Sequence, residues 1–371
     1  MEIGQTKKYY FANPKAQYLS MKREIDQAIS DVLESENYIL GTQVEEFEME
    51  FARYIGQKYA VGVNSGTDAI ILALKVLNVG QGDEVIIPSF TAVATAAAVV
   101  AVGAIPVFVD IGLDDFTIDT SLIEASISKN TKAIILVHLY GHPGKVTEIS
   151  ALCKKYSLFF IEDCAQAHGA EFEGEKVGTF SDLACFSFYP TKNLGGIGDG
   201  GGITTNCETL NKNLRMLRQY GWGETRNSQI VSQISRLDEL QASILRVKLR
   251  NLDVTNQKRI DLAAIYSELL DSEKIILPKV LSGNKHVYHL YVVRVTNRQE
   301  LLRELPKANI FPGIHYPWPV HLNDAYASKV GRVSGSLKNT EFASETVLSL
   351  PMYPELSHED IQYISEVINN V

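Results

Sequence analysis

Between residues 59 and 205, short β-branched runs alternate with helical patterns. This alternation constrains the fold more than any other feature of the chain. Residues 59–63, 85–88, 106–109, 132–137 and 158–162 each read as a strand. Their nearly continuous apolar character suits strands buried on both faces, as in a parallel sheet covered by helices. Residues 67–77, 91–102, 122–127 and 146–156 fill the intervals as helices, and 185–187 and 202–205 add two strands. The order predicts an α/β domain with a mostly parallel sheet of seven strands, and ligands at the strands' carboxyl ends.

The texture changes after Asn206. Residues 208–220 read as a helix. One long helical segment follows from Arg236 to about Leu270, with Leu237, Leu240, Ile244, Val247 and Leu252 as its apolar stripe. Residues 288–296 alternate as a strand, and 299–305 and 358–370 read as helices, the last behind Ser357 as N-cap. At 371 residues the chain is long enough for two domains. The reading divides it into a large α/β domain, 1–250, and a smaller α+β domain, 251–371.

Composition removes several classes. Forty-four acidic residues against 35 basic ones leave a net charge of −9, a poor start for a nucleic-acid binder. The N-terminus is polar, without the apolar core of a signal peptide. The most apolar stretch, 92–109, is broken by Gly103 and Pro106 and reads as a buried helix and strand, so no membrane span is expected. Four cysteines without C-x-x-C spacing read as reduced thiols in a cytoplasmic protein. His138 and His168 have no second ligand at i+4 on a helix, so no metal site is expected.

Three elements carry chemistry. Ser65-Gly66-Thr67 lies between a strand and a helix, where free N–H groups at the helix start favour an anion; taken alone, a plain helix cap is the simpler reading. Asp163 closes the fifth strand, either as a cap for the next helix or as a carboxylate facing a protonated ring nitrogen. Lys192 stands in a mostly uncharged segment rich in glycine, either as a surface lysine or as an amine able to form a Schiff base. Each is ambiguous alone. Together, a phosphate cradle, a strand-end Asp and a loop Lys match what pyridoxal phosphate needs.

The motifs then resemble a known family. Ser65-Gly66-Thr67, Glu162-Asp163 with Ala165-Gln166-Ala167, Phe186-Ser187-Phe188 with Lys192-Asn193, and Gly198-Asp199-Gly200-Gly201 are similar to those of the DegT/StrS-type sugar aminotransferases. Arg236-Leu237-Asp238-Glu239 and His315-Tyr316-Pro317 extend the similarity over nearly the whole chain. The resemblance implies a fold-type-I, aspartate-aminotransferase-like, pyridoxal-phosphate-dependent homodimer with active sites at the subunit interface. It implies amino transfer from glutamate to a keto sugar on a nucleotide, most nearly C3 of a dTDP-linked 3-keto-6-deoxyhexose. Amination at C4, a sugar dehydratase and a non-catalytic sugar-nucleotide-binding relative are the alternatives; dehydratases of this kind tend to carry His where Lys192 stands.

The resemblance also assigns roles. Lys192 and Asp163 are the catalytic pair, with Lys192 holding the cofactor aldehyde. Ser65, Gly66, Thr67 and Ser187 hold its phosphate, Gln166 lies near the ring hydroxyl, and Phe90 is the candidate for stacking on the ring. Tyr189, His315 and Tyr316 surround the sugar, and Arg226 supplies charge to its phosphates. One departure stands out. Relatives usually carry Asn two residues before Arg236, reaching the cofactor phosphate of the other subunit; here that position is Ile234.

Overall fold

The computed structural model describes residues 7–326 and 330–371. The first six residues of the polar N-terminus lie outside the described residues. The expected strands are present, several longer by one or two residues. They are β1 (Tyr59–Val63), β2 (Glu84–Pro88), β3 (Ile105–Val109), β4 (Thr131–Val137), β5 (Phe159–Asp163), β6 (Leu183–Ser187) and β7 (Gly201–Thr205). An eighth, β8 (Arg332–Val333), corrects the expected count of seven. It comes from the C-terminal third and pairs in parallel with β3. Two residues are too few to show a period, so periodicity alone carries no sign of this strand.

The sheet order is β8-β3-β2-β4-β5-β6-β7-β1. All neighbours are parallel except those of β7, which runs antiparallel to β6 and β1. The carboxyl ends of β1, β4, β5 and β6 and the start of β7 therefore meet at one edge.

The helices as far as Leu269, in chain order, are α1 (Pro14–Ser20), α2 (Lys22–Leu33), α3 (Thr42–Ile55), α4 (Gly66–Val76), α5 (Val93–Ala101), α6 (Ile123–Ser126), α7 (Val146–Tyr156), α8 (Glu208–Leu217), α9 (Glu239–Leu249) and α10 (Leu252–Leu269). Strand alternation sorts side chains between layers. Leu183 and Cys185 of β6 join a core with α4 and α5, while Ala184 and Phe186 join one with α3 and α9. In the second core, Phe51 meets Phe186 edge-on at 4.9 Å and Phe188 at 5.4 Å. Both faces are thus covered, which is why the strands read as continuous apolar runs.

The single long helix expected from Arg236 to Leu270 is in fact two. It breaks at Arg250–Asn251, where the Asn251 side chain donates to Val247 O at 3.1 Å and its backbone N–H reaches Lys248 O. An Asn side chain competing for a helix carbonyl favours such a break. Beyond it, Leu262, Tyr266, Tyr291, Leu348 and Ile361 form a separate core that also takes in Tyr9 from the N-terminal segment. Ser357 caps the last helix, His358–Asn369, in a reciprocal capping box with Asp360.

A buried charge cluster fixes the strand that leads into the cradle. Glu48 of α3 accepts from Gly62 N of β1 at 2.7 Å and pairs with Arg218 and, at 2.9 Å, Arg215. Glu48 and Arg218 are both buried. Glu48→Ala leaves Arg218 without its carboxylate and should lower stability by about 3–5 kcal/mol. Urea denaturation measures this, and a change below about 1 kcal/mol would mean that solvent already compensates the pair.

Candidate active site

The strand ends enclose a cavity of about 230 Å³ lined by Ser65, Gly66, Thr67, Asp163, Gln166, Ser187, Tyr189 and Lys192, together with Thr91, Ala92 and Leu139. Eight of the twelve expected site residues therefore share one space.

The cradle forms where β1 turns into α4. Ser65 is extended, and its Oγ accepts from Asp68 N at 3.1 Å, so it caps its own helix. The plain-cap reading of Ser65 is thus correct, and the N–H groups of Gly66 and Thr67 remain at the helix start for an anion. Close approach requires glycine at two points. A Cβ on Gly66 would lie 2.6 Å from Ser187 Cβ, and one on Gly201 would lie 2.3 Å from Ser65 O. The start of α4, the end of β6 and the start of β7 come together more tightly here than side chains would allow.

Asp163, at the end of β5, is buried. Its Oδ2 accepts from Thr95 Oγ1 at 2.9 Å and its Oδ1 from Ala165 N at 3.1 Å. Thr91 Oγ1 lies 3.2 Å from Thr95 Oγ1, which extends the chain of hydroxyls. Burial still raises the Asp163 carboxyl above its usual range, against the pull of these bonds and of Lys192. A cation set against it would relieve that cost. Lys192 is half-buried on the loop after β6, and loss of water around its amine brings it down to about 8.

Gln166 is fixed at both ends of its amide. Its Oε1 accepts from Tyr140 N at 2.7 Å, and its Nε2 donates to Tyr316 Oη at 2.9 Å. Burial pushes the Tyr316 hydroxyl up to about 12. His315 meets Ser349 Oγ through Nδ1 at 2.9 Å, and burial lowers it to about 4, so its ring is neutral at pH 7. Tyr140 Oη donates to His315 O, which ties these residues to the end of β4.

One expectation is corrected. Phe90 does not line the cavity. It is fully buried and packs 6.2 Å from the Phe116 ring and 6.4 Å from Tyr316. The chain leaving β2 turns Phe90 into the core and presents Thr91 and Ala92 instead. Arg226 also stands outside the cavity, exposed, with its guanidinium 5.5 Å over the Trp222 ring. Ile234 is exposed, and its backbone bridges to Gln219.

The structure also brings His138, Glu162 and Cys164 within 4.8 Å of one another. The His138 and Glu162 side chains are already engaged. His138 Nε2 meets Glu162 Oε1 at 3.1 Å, and its Nδ1 accepts from Gly144 N. Glu162 accepts further from Gly178 N, Phe180 N and Ser181 Oγ. The cluster ties β4 and β5 to the 178–181 turn. His168 is buried beneath Phe186 and Phe188 and, among the described residues, has no hydrogen-bond partner at either ring nitrogen.

Sequence reasoning misses Thr91, Thr95 and Tyr140. A signal exists for the threonines: two hydroxyl residues stand four apart in an otherwise Ala-rich stretch that opens a helix, Thr91 just before α5 and Thr95 in its first turn.

A helix-start cradle, a desolvated carboxylate and an amine of lowered basicity define a pocket that fits pyridoxal phosphate by phosphate, ring nitrogen and aldehyde. The fold around it is that of a fold-type-I pyridoxal-phosphate-dependent aminotransferase. Residues 19–369 match the DegT/DnrJ/EryC1/StrS aminotransferase family, and the chain belongs to that family. It is 45% identical over 354 residues to the dTDP-3-amino-3,4,6-trideoxy-alpha-D-glucose transaminase of Streptomyces venezuelae, covering 95% of this chain and 93% of that one. The solved structure of S. venezuelae DesV in complex with a ketimine intermediate superposes with a TM-score of 0.95 at 43% identity, over 98% of each chain. That of ntda from Bacillus subtilis, with bound cofactor pmp, gives 0.90 at 30% identity, over all of this chain and 86% of the other. Among the described residues no helix is long and apolar enough to cross a membrane.

The cradle can be tested directly. Gly66→Ala forces its Cβ into Ser187 and should weaken pyridoxal phosphate binding about tenfold or more. Equilibrium dialysis measures this, and unchanged affinity would mean the phosphate binds elsewhere.

Proposed function

We propose that this aminotransferase moves an amino group from glutamate to C3 of a dTDP-linked 3-keto-6-deoxyhexose, with Lys192 as the residue that carries pyridoxal phosphate. The observation that supports this reading best is the single cavity in which Asp163 and Lys192 face the Gly66–Thr67 helix start. The choice of C3 rests on similarity to the transaminase from S. venezuelae.

Bound in this cavity, pyridoxal phosphate supplies an aldehyde for the amino group and an electron-poor ring that stabilises charge at the carbon losing its proton. The N–H groups of Gly66 and Thr67, with the Ser187 hydroxyl, hold the phosphate. Asp163, oriented by Thr95 and Ala165 N–H, keeps the proton on the ring nitrogen. Gln166, pinned by Tyr140 and Tyr316, presents its amide near the ring hydroxyl. Lys192 Nζ would hold the aldehyde at rest and, once free, would carry a proton between the reacting substrate carbon and the cofactor carbon that bore the aldehyde. Tyr189, His315 and Tyr316 bound the sugar side, and Leu139 and Ala92 help keep water out.

The exposed Ile39, Val231 and Ile234 support a homodimer in which a second copy covers this apolar surface. Arg226, outside the cavity of its own subunit, is then free to meet the substrate's phosphates at the subunit boundary. The break at Arg250–Asn251 and the separate core beyond it support a division into 1–250 and 251–371. Four unpaired thiols support a cytoplasmic location.

Two outcomes check the reading. Lys192→Ala should lower turnover with glutamate and keto sugar to about one-thousandth or less; near-normal turnover would refute its role. The substrate screen is a panel of keto-sugar nucleotides followed by mass spectrometry and NMR, with amination expected at C3; acceptance of 4-keto sugars alone would reassign the carbon.

The pH dependence comes from the lowered amine. Only neutral Lys192 attacks an aldehyde, so capture of pyridoxal phosphate by cofactor-free protein should rise with pH and level off above about 8. Below that point the rate should fall about tenfold per pH unit. Stopped-flow absorbance measures the profile, and a flat one would contradict the assignment.

A further inference from the structure

Lys248, in α9, is a second lysine held away from water, and the chemistry above does not use it. It is only 3% exposed. Its ammonium donates to Gly195 O at 2.7 Å and to Gln17 Oε1 at 2.9 Å. Both acceptors are neutral, and among the described residues it forms no ion pair. Burial lowers it to about 8, with Glu355 attracting it from a distance. An apolar side chain would fill this space without the cost of desolvating a charge. The ammonium is accounted for by what it holds, and Gly195 is three residues beyond Lys192.

The same helix grips the loop at a second point. Gln241 is seven residues before Lys248, two turns along the same face. Its Oε1 accepts from Ile197 N at 2.8 Å, and a Cβ on Gly196 would lie 2.4 Å from that oxygen. The loop is closed on itself, with Lys192 N donating to Tyr189 O at 2.9 Å and Gly196 N to Phe188 O at 2.8 Å. On the other flank, Asn193 Nδ2 donates to Asn256 Oδ1 at 2.8 Å and to Val287 O at 3.1 Å.

We propose that α9 is a clamp for the Lys192 loop, with Lys248 and Gln241 as positioning residues that fix the backbone from which the Lys192 amine projects. Lys248 holds a carbonyl and Gln241 an amide of the same short segment, so together they resist both displacement and rotation of the loop. Gln17 links the clamp to α1. Neither residue lines the cavity, and both act through the loop alone. The proposal rests on Lys192 being the residue that carries the cofactor.

The test compares Lys248→Met and Lys248→Arg with the wild type. The readouts are the rate at which cofactor-free protein captures pyridoxal phosphate, the pH midpoint of the visible absorption band that results, and the melting temperature. Lys248→Met should melt within a few degrees of the wild type, yet capture cofactor about 10–100-fold more slowly, with a displaced pH midpoint. Lys248→Arg, which keeps the charge and the donors, should restore most of the rate. A wild-type rate and midpoint in Lys248→Met would overturn the clamp, as would a loss that Lys248→Arg leaves unrestored.

Should Lys248→Met fail to fold, Gln241→Met at a half-buried position carries the test. A smaller slowing in the same direction is expected, and a wild-type rate would overturn the clamp. A wild-type protein that forms no borohydride-sensitive band would refute Lys192 as the carrier and the clamp with it. A normal wild-type band with unaltered variants would refute the clamp alone.

Discussion

The site depends on keeping a carboxylate out of water without giving it a full counter-charge. Asp163 is buried at the end of β5 with one hydroxyl and one backbone N–H as partners. Lys192 shares its cavity, but among the described residues the two form no ion pair. Each shifts the other's proton affinity only partly against the effect of burial. Such an arrangement costs stability unless a ligand supplies the missing charge. Sheet order, helix placement and the turn after β6 together hold these two groups in one cavity. The Glu162–His138 pair contributes by fixing β5 to β4 just behind Asp163.

Charge and function are separated in space. The chain carries −9 overall, whereas the ligands in the proposed reaction are anionic. Their recognition must therefore rest on local groups rather than a general field. The cradle provides this through helix-start N–H groups at Gly66 and Thr67, in a place where glycine lets three backbone segments approach closely. Arg226 sits outside the cavity, so within this subunit the cradle offers backbone dipoles rather than a side-chain cation to a phosphate.

Much of this is legible in the sequence because it is local. β1 to β5 appear as apolar runs, and Asp163 and Lys192 stand out by their positions after a strand and in an uncharged loop. Most of the features that escape depend on non-local packing. β8 is two residues long and gains its place only by pairing with β3. Phe90 lies next to a strand end, as a ring-stacking residue would, but the direction of its side chain is set by Phe116 and Tyr316, which are distant in sequence. Thr95 reads as part of a buried Ala-rich helix, which it is; its hydroxyl matters only because β5 ends opposite. The apolar stripe runs through Arg250 and conceals the break, which arises from a side-chain hydrogen bond of Asn251.

Two lysines, Lys192 and Lys248, are brought down to about 8 by burial, so basicity alone does not decide which one carries the cofactor. Geometry favours Lys192, which lines the cavity with Asp163, whereas the Lys248 amine is committed to Gly195 O and Gln17 Oε1. The most direct measurement is borohydride reduction of the pyridoxal phosphate-loaded protein, followed by proteolysis and peptide mass spectrometry. A single reduced cofactor adduct is expected, on the peptide containing Lys192. An adduct on Lys248, or one spread over surface lysines, would contradict the assignment.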